Sequence, residues 1–345
     1  MMKRNSPLHE AAKCGDLAQV AALLRDGADI EEYNSHGWTP LMAASLSGNV
    51  DTARLLLDVG ANLYAVNREG KSAIHYAAMR GGAAVVRLMV HLGADVNARD
   101  TFGGYAPLHL AAAHCNRNLV LETCTALLAA GADVNARNKW GSTALWSAAL
   151  AMRSDLVDFL VQHGADLESR DKEGRTALMF VTKYCFIPEM AEKLLDHGAQ
   201  VNAQDDAGRT ALMYAALNDR VMFMEVLLNG GADINLQDTQ GRTALMYAAG
   251  EAAKGSTIGM LGREASTAPE GGNASNWDAD KKAARLAKAY SKRAEAVRYL
   301  LERSADPVHL DADGKTALEV ALANARVVGE DNAEVVDALS DGQVP

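Results

Sequence analysis

The chain has 345 residues, of which 49% are hydrophobic and only 5% aromatic, with a formal net charge of -10 and a pI near 5.4. That length exceeds what one ordinary core organises, so the chain is either multidomain or a repeat array. The acidic balance argues against a general nucleic-acid binder, and no run of about 18 apolar residues is present to form a membrane-spanning helix.

The first residues, Met1-Met2-Lys3-Arg4, carry no apolar run after the basic pair, so no secretory signal is read. A recurrence begins immediately after them. Ser6-Pro7-Leu8-His9 is followed by Thr39-Pro40-Leu41-Met42, Ser72-Ala73-Ile74-His75, Ala106-Pro107-Leu108-His109 and Thr143-Ala144-Leu145-Trp146. Thr176-Ala177-Leu178-Met179, Thr210-Ala211-Leu212-Met213, Thr243-Ala244-Leu245-Met246 and Thr316-Ala317-Leu318-Glu319 complete the series. Successive starts are 33, 33, 34, 37, 33, 34, 33 and 73 residues apart, so the last step is one period plus an insertion.

Each start predicts a helix, because Ser or Thr can accept from free first-turn amides and Pro fits the first helical position. Ala pairs such as Ala43-Ala44, Ala77-Ala78 and Ala215-Ala216 keep this helix thin. A second helix follows with the bulk: Val20, Leu23 and Leu24 in the first repeat, Val226, Leu227 and Leu228 in the seventh. Gly-Ala-Asp or a close variant ends it at Gly27, Gly60, Gly93, Gly131, Gly164, Gly198 and Gly231, with Ser304 in the eighth place. Asp/Asn-x-x-Gly turns then start at Asn34, Asn67, Asp100, Asn138, Asp171, Asp205, Asp238 and Asp311.

The fourth repeat holds four extra residues around His114 to Arg117, and the sixth holds one near Tyr184 to Pro188. Residues 250–277 read as a loop rich in Gly, Ser, Thr and Ala. From Asp278 to Arg303 a helical stripe runs through Ala283, Leu286, Tyr290, Ala294, Val297 and Leu301, its last turns standing in for the second helix of repeat eight. Lys281, Lys282, Arg285, Lys288, Lys292, Arg293 and Arg298 are expected to face away from that stripe. The tail, Asn332 to Leu339, reads as a last second helix that is polar outside, as a capping repeat must be.

The period of about 33 residues, the Thr-Pro-Leu-His-type starts and the run Gly-Ala-Asp-Val-Asn at Gly93–Asn97 and Gly131–Asn135 resemble the ankyrin repeat. The resemblance implies an all-α repeat solenoid of stacked helix-turn-helix units with β-hairpin or loop tips and one long helical insertion in repeat eight. It implies a single domain over residues 1–345, with repeats starting near 4, 37, 70, 104, 141, 174, 208, 241 and 314 and the insertion at 250–290. The family's His follows Leu or Ile only at His9, His75 and His109. Met42, Trp146, Met179, Met213, Met246 and Glu319 replace it elsewhere, and the Met and Trp side chains are expected to pack rather than hydrogen-bond. The Thr-Ala-Leu-Met form is similar to bacterial members of the family.

In the family a partner lies against tips and first helices. Carried over residue by residue, this places candidate contacts at His36, Trp38, Lys71, Phe102, Tyr105, Trp140, Arg175, Arg209 and Arg242 on the tips. Tyr76, Phe180, Tyr214 and Tyr247 are the candidates on the first helices, expected to be exposed. Lys281, Lys282, Arg285, Lys288 and Lys292 form a secondary set. Aromatic and Arg side chains are the usual anchors of interfaces. The three arginines either form a basic row for an acidic partner or pair with tip acids such as Asp206 and Asp238.

Catalytic chemistry has no signature here. Gly255 to Arg263 lacks the Gly-Lys-Ser/Thr of a phosphate loop, no zinc spacing occurs, and adjacent His114 and Cys115 would point apart on a helix. No enzyme activity, cofactor or metal is expected. The four cysteines form no framework and read as reduced thiols of a cytoplasmic protein, delivery into a host cell being an alternative fate. The expected role is a scaffold, adaptor or inhibitor, monomeric when free and bound to another protein. An immunity-type protein that neutralises a toxin or enzyme and a host-targeting effector are narrower alternatives. A nucleic-acid or anionic-surface binder acting through the basic helix 281–298 is the remote one.

Overall fold

The second and third repeats show how the sequence folds locally. Thr39 leaves extended backbone and its hydroxyl accepts from the Met42 amide at 3.3 Å, while Pro40 occupies the first helical position. After the second helix, Gly60 turns left-handed at φ 98°, which lets the Ala61 amide reach back to the Leu56 carbonyl at 2.9 Å. Asn67 then closes the tip. Its Oδ1 accepts from the amides of Glu69 and Lys71, both at 2.9 Å, and its carbonyl accepts from the Gly70 amide at 2.9 Å, with Gly70 left-handed at φ 73°.

A computed structural model describes residues 6–114, 116–185, 187–250, 292–328 and 333–341. The chain divides into two units, Met1–Lys172 and Glu173–Pro345. The N-terminal unit holds α1 (Pro7–Cys14), α2 (Leu17–Arg25), α3 (Pro40–Ser47), α4 (Val50–Asp58), α5 (Ala73–Arg80), α6 (Ala83–His91), α7 (Pro107–His114), α8 (Arg117–Ala129), α9 (Ala144–Leu150) and α10 (Ser154–Gln162). First helices pack in the order α1, α3, α5, α7, α9, and second helices in the order α2, α4, α6, α8, α10. The four extra residues of the fourth repeat are absorbed by α8, which has 13 residues against 9 in α6.

The C-terminal unit holds α11 (Ala177–Tyr184), α12 (Glu189–Asp196), α13 (Ala211–Leu217), α14 (Val221–Asn229), α15 (Ala244–Ala249), α16 (292–302), α17 (Ala317–Val328) and α18 (Ala333–Asp341). Again the first helices, α11, α13, α15 and α17, pack in sequence, and α12 packs on α14. The sequence expects the last turns of the 278–303 helix to serve as a second helix. Helix α16 does end as the other second helices do, with the Ala305 amide on the Leu300 carbonyl at 3.0 Å, and Val297 and Leu300 are fully buried. Most of the expected insertion, with Lys281, Lys282, Arg285 and Lys288, lies outside the described residues. Arg293 corrects the expectation of a solvent-facing basic row. It is 3% exposed, and its Nε lies 3.4 Å from Asp219. Helix α18 packs on α17 with Val335, Ala338 and Leu339 buried, as the tail predicts.

The core is the row of small and aliphatic side chains between stacked helices. Ala44, Ala77, Ala78, Ala111, Ala148 and Ala215 are fully buried, and so are Leu56, Met89, Leu127, Leu160 and Leu227. Burying each large aliphatic side chain contributes roughly 1.5–3 kcal/mol. Met42, Trp146, Met179, Met213 and Met246 are also 1–2% exposed, so the Met and Trp side chains that replace His do pack, although Met213 Sδ also accepts from the Thr210 amide at 3.4 Å.

Hydrogen bonds join one repeat to the next within each unit. Asn97 donates to the Gly131 carbonyl at 3.0 Å and accepts from the Asp133 amide at 2.9 Å; Asn135 repeats this one step along. In the C-terminal unit Asn202 does the same to Gly231 and Asp233, and Asn235 accepts from the Asp306 amide at 2.9 Å. The tips are linked backbone to backbone, for example Lys139 N to Gly103 O at 2.8 Å and Thr239 N to Ala207 O at 3.0 Å. They are closed turns, and no strand occurs among the described residues.

Candidate functional site

The tip residues of the N-terminal unit form two aromatic groups. His36 is exposed, with its ring 5.1 Å from that of half-buried Trp38, which meets Tyr76 edge-on at 5.2 Å. Two repeats further on, Tyr105 lies 5.7 Å from Trp140 and 5.9 Å from His109. Phe102 is 70% exposed and Trp140 is 48% exposed. Both rings at Gly103 crowd its backbone: a β-carbon there would stand 2.4 Å from Tyr105 and 2.7 Å from Trp140. The glycine is therefore what allows the two aromatics to close over this turn. Lys71 extends along the tips, with Nζ 2.6 Å from Glu69 and 3.8 Å from buried Asp100.

The first-helix aromatics are a different matter. Exposure was expected, but Tyr76, Tyr214 and Tyr247 are only 1–3% exposed, and Phe180 is half-buried. The reason is the turn residue nine positions earlier. Asn67 Nδ2 donates to the Tyr76 hydroxyl at 2.8 Å, and the hydroxyls of Tyr214 and Tyr247 donate to Asp205 at 2.6 Å and Asp238 at 2.7 Å. Burial pushes the Tyr76 hydroxyl up to about 12, and burial with the Asp205 carboxylate raises Tyr214 further. All three act as neutral braces beneath the tips.

The arginines complete these braces in the C-terminal unit. Arg209 Nε and Nη2 each lie 2.9 Å from Asp205 Oδ2, and Arg242 Nε and Nη2 lie 2.8 and 2.7 Å from Asp238 Oδ2. The guanidinium carbons stand 5.0 Å above the Tyr214 ring and 4.8 Å above the Tyr247 ring. Burial pushes the Asp238 carboxyl up, but hydrogen bonds from Arg242 and Tyr247 outweigh it and hold the group below the usual carboxylate range. Arg175 is 8% exposed, lies 2.8 Å from Glu173 and stacks 5.4 Å over Phe180. Of the two readings of the arginine row, the paired one describes its geometry, although the partner of Arg242 is the Asp238 of its own turn and that of Arg209 is Asp205 rather than Asp206.

The three histidines bond to backbone carbonyls 23 to 33 residues further along the chain. His75 Nδ1 accepts from the Ser72 amide at 3.1 Å, so Nε2 carries the proton and donates to the Ala98 carbonyl at 3.0 Å. His109 does the same between the Ala106 amide at 3.2 Å and the Ser142 carbonyl at 3.1 Å. His9 Nε2 donates to the Trp38 carbonyl at 2.7 Å, which fixes the base of the first aromatic tip. Burial lowers the affinity of His75 and His109 for a second proton. None of the three is placed to coordinate a metal, and no group of three or more metal-ligating side chains occurs among the described residues. No helix of the described residues is long and apolar enough to cross a membrane.

Two features escape the sequence reading. Tyr64 occupies the place where later repeats have the linking Asn, is 65% exposed, and reaches the Gly93 carbonyl at 3.4 Å. A cleft of about 390 Å³ opens beside Trp38, lined in part by Lys13 and Arg80. Tyr64 departs from the Asn that ends the recurring Gly-Ala-Asp-Val-Asn run and the cleft draws its lining from three repeats, so packing rather than spacing reveals them. Lys292, the one described member of the secondary set, is exposed on α16.

A search of curated proteins finds no match. The family model for ankyrin repeats, in sets of three copies, matches residues 8–100, 59–138, 108–205 and 187–257, together more than half of the chain. With stacked helix pairs and closed tips among the described residues, the chain belongs to the ankyrin repeat family and is a helical module of the protein-interaction kind.

Proposed function

We propose that this chain holds a protein partner against its tips and first helices, with His36, Trp38, Lys71, Phe102, Tyr105 and Trp140 as contacts in the N-terminal unit. Half-buried Phe180 is the corresponding contact in the C-terminal unit. Tyr76, Tyr214, Tyr247, Arg175, Arg209 and Arg242 support that face from beneath rather than anchoring the partner. The reading includes one domain of nine repeats, tips that behave as short hairpin loops, an insertion at 250–290 within repeat eight, and a free chain that is monomeric.

The observation that carries the proposal is the pair Phe102 and Trp140. Two large aromatic side chains stand 70% and 48% exposed on neighbouring tips of a chain that is 5% aromatic. Rigid exposed aromatics supply contact area at low entropic cost, which is why they anchor interfaces. The test is capture of a partner from native extract by the wild-type chain and by a Phe102→Ala/Trp140→Ala variant. The double variant is expected to weaken capture by roughly 1–2 kcal/mol or more per anchor. Unchanged capture by a folded double variant would reject this face.

A further inference from the structure

We infer that the cleft among the first three repeats receives an acidic peptide segment of the partner, one that sets an apolar side chain between flanking carboxylates. This rests on the protein-binding reading above and narrows it. Helices α1, α3 and α5 lie side by side in that order. Ala43 and Leu46 of α3 form the apolar part of the cleft, Trp38 and His36 border it from the tip, and Lys13 of α1 and Arg80 of α5 stand on either side. Its volume is about 390 Å³.

Charge selects the occupant. Acidic residues outnumber basic ones by 44 to 34 in the chain, yet no carboxylate lines this cleft among the described residues. Lys13 and Arg80 are both exposed, and neither holds an ion pair among the described residues. Each sits in the last turn of its helix, where the helix dipole favours a cation. That accounts for either one alone, but not for both lining one cleft beside Ala43 and Leu46. Packed helices are about 8–10 Å apart, so α1 and α5 are roughly 16–20 Å apart and their cations would meet two separate carboxylates. A peptide with acids on both sides of an aliphatic or aromatic residue satisfies this spacing. The Trp38 ring, held between His36 and Tyr76 and fixed through the His9 bond to its carbonyl, gives the apolar residue a rigid wall.

The full chain is titrated into the labelled peptide Glu-Glu-Leu-Leu-Glu-Glu, into its Gln-Gln-Leu-Leu-Gln-Gln counterpart, and into citrate, with binding of the peptides read by fluorescence anisotropy and of citrate by calorimetry. The acidic peptide is expected to bind at least about tenfold more tightly than the Gln peptide, and Lys13→Glu/Arg80→Glu should remove about tenfold or more. Both substituted positions are exposed, and circular dichroism checks that the variant is folded; Trp38→Leu should weaken both peptides alike. Equal binding of the two peptides, wild-type affinity in the charge-reversed variant, or citrate bound as tightly as the peptide would each overturn the assignment. If the acidic peptide fails to bind while Phe102→Ala/Trp140→Ala abolishes partner capture, the cleft falls and the tip-face reading stands. If the peptide fails and that variant captures normally, both fall.

Discussion

The N-terminal and C-terminal units build the same repeat with different chemistry at the same two places. Where the first helix starts, the N-terminal unit has His9, His75 and His109, each bonded through both ring nitrogens, with buried Met42 and Trp146 in its other two repeats, whereas the C-terminal unit has no such histidine and places Met179, Met213, Met246 and Glu319 there. Where the turn closes, the N-terminal unit mostly places amides at Asn34, Asn67 and Asn138, and the C-terminal unit places the carboxylates of Asp205, Asp238 and Asp311. Neutral histidine bonds that reach 23 to 33 residues along the chain are a feature of one unit, and charged clasps of Asp, Arg and Tyr that close within nine residues are a feature of the other. The lesson is that the backbone demands only an acceptor at the turn and a filled position after Leu; the side chains that meet those demands decide how the unit responds to pH and to mutation.

The largest effect that can break this comparison is expected at Asp238. Its Oδ1 caps the amides of Gln240 and Arg242, and its Oδ2 receives Arg242 and Tyr247. Asp238→Ala leaves a largely buried guanidinium and a buried hydroxyl without that acceptor and should destabilise by about 3 kcal/mol in chemical denaturation. Asp238→Asn keeps the turn amides capped and should cost clearly less. Equal, small effects of both substitutions would mean that the clasp contributes nothing. A smaller loss of roughly 1–2 kcal/mol is expected for His75→Met, which abandons the Ser72 amide and the Ala98 carbonyl. If that variant were as stable as wild type, the histidine bridges would be interchangeable with methionine packing.

The pH response sharpens the same contrast. Burial places the folded-state pKa of His75 and of His109 below the ordinary 6.5, so the unfolded chain binds their protons first. Their contribution is complete above about pH 6.5 and declines as the pH falls below it. Asp238, held below its ordinary 3.8, keeps its contribution until the pH falls under that value. Hydrogen exchange compared at about pH 7.5 and pH 5.5, corrected for intrinsic rates, should therefore show α5 and α7 losing more protection than α13 and α15. Equal losses in the two units would contradict the assignment.

Much of this was legible in the sequence because the repeat is made of local signals. Thr39 and Thr210 as caps, Gly60 and Gly70 as left-handed positions, and Asn67 or Asp238 as turn acceptors each act within a few residues, so spacing alone predicts them. The family resemblance then supplied the stacking. What was not legible depends on neighbours. Tyr214 and Tyr247 look like first-helix surface residues, yet a turn nine residues earlier draws their hydroxyls inward. Arg293 reads as one more cation on a basic face until Asp219, on a connection 74 residues away, meets it. The cleft beside Trp38 joins residues of three repeats, and no pattern within one repeat encodes it.

The most direct test of a partner-holding tip face is side-chain oxidation footprinting of the captured complex against the free chain. Trp38, Phe102 and Trp140 are expected to be protected, while Val59, Tyr64 and Leu92, exposed at second-helix ends and in the connection that follows α4, are oxidised as before. Protection of Val59, Tyr64 and Leu92 with no change at Phe102 and Trp140 would place the partner elsewhere and contradict it.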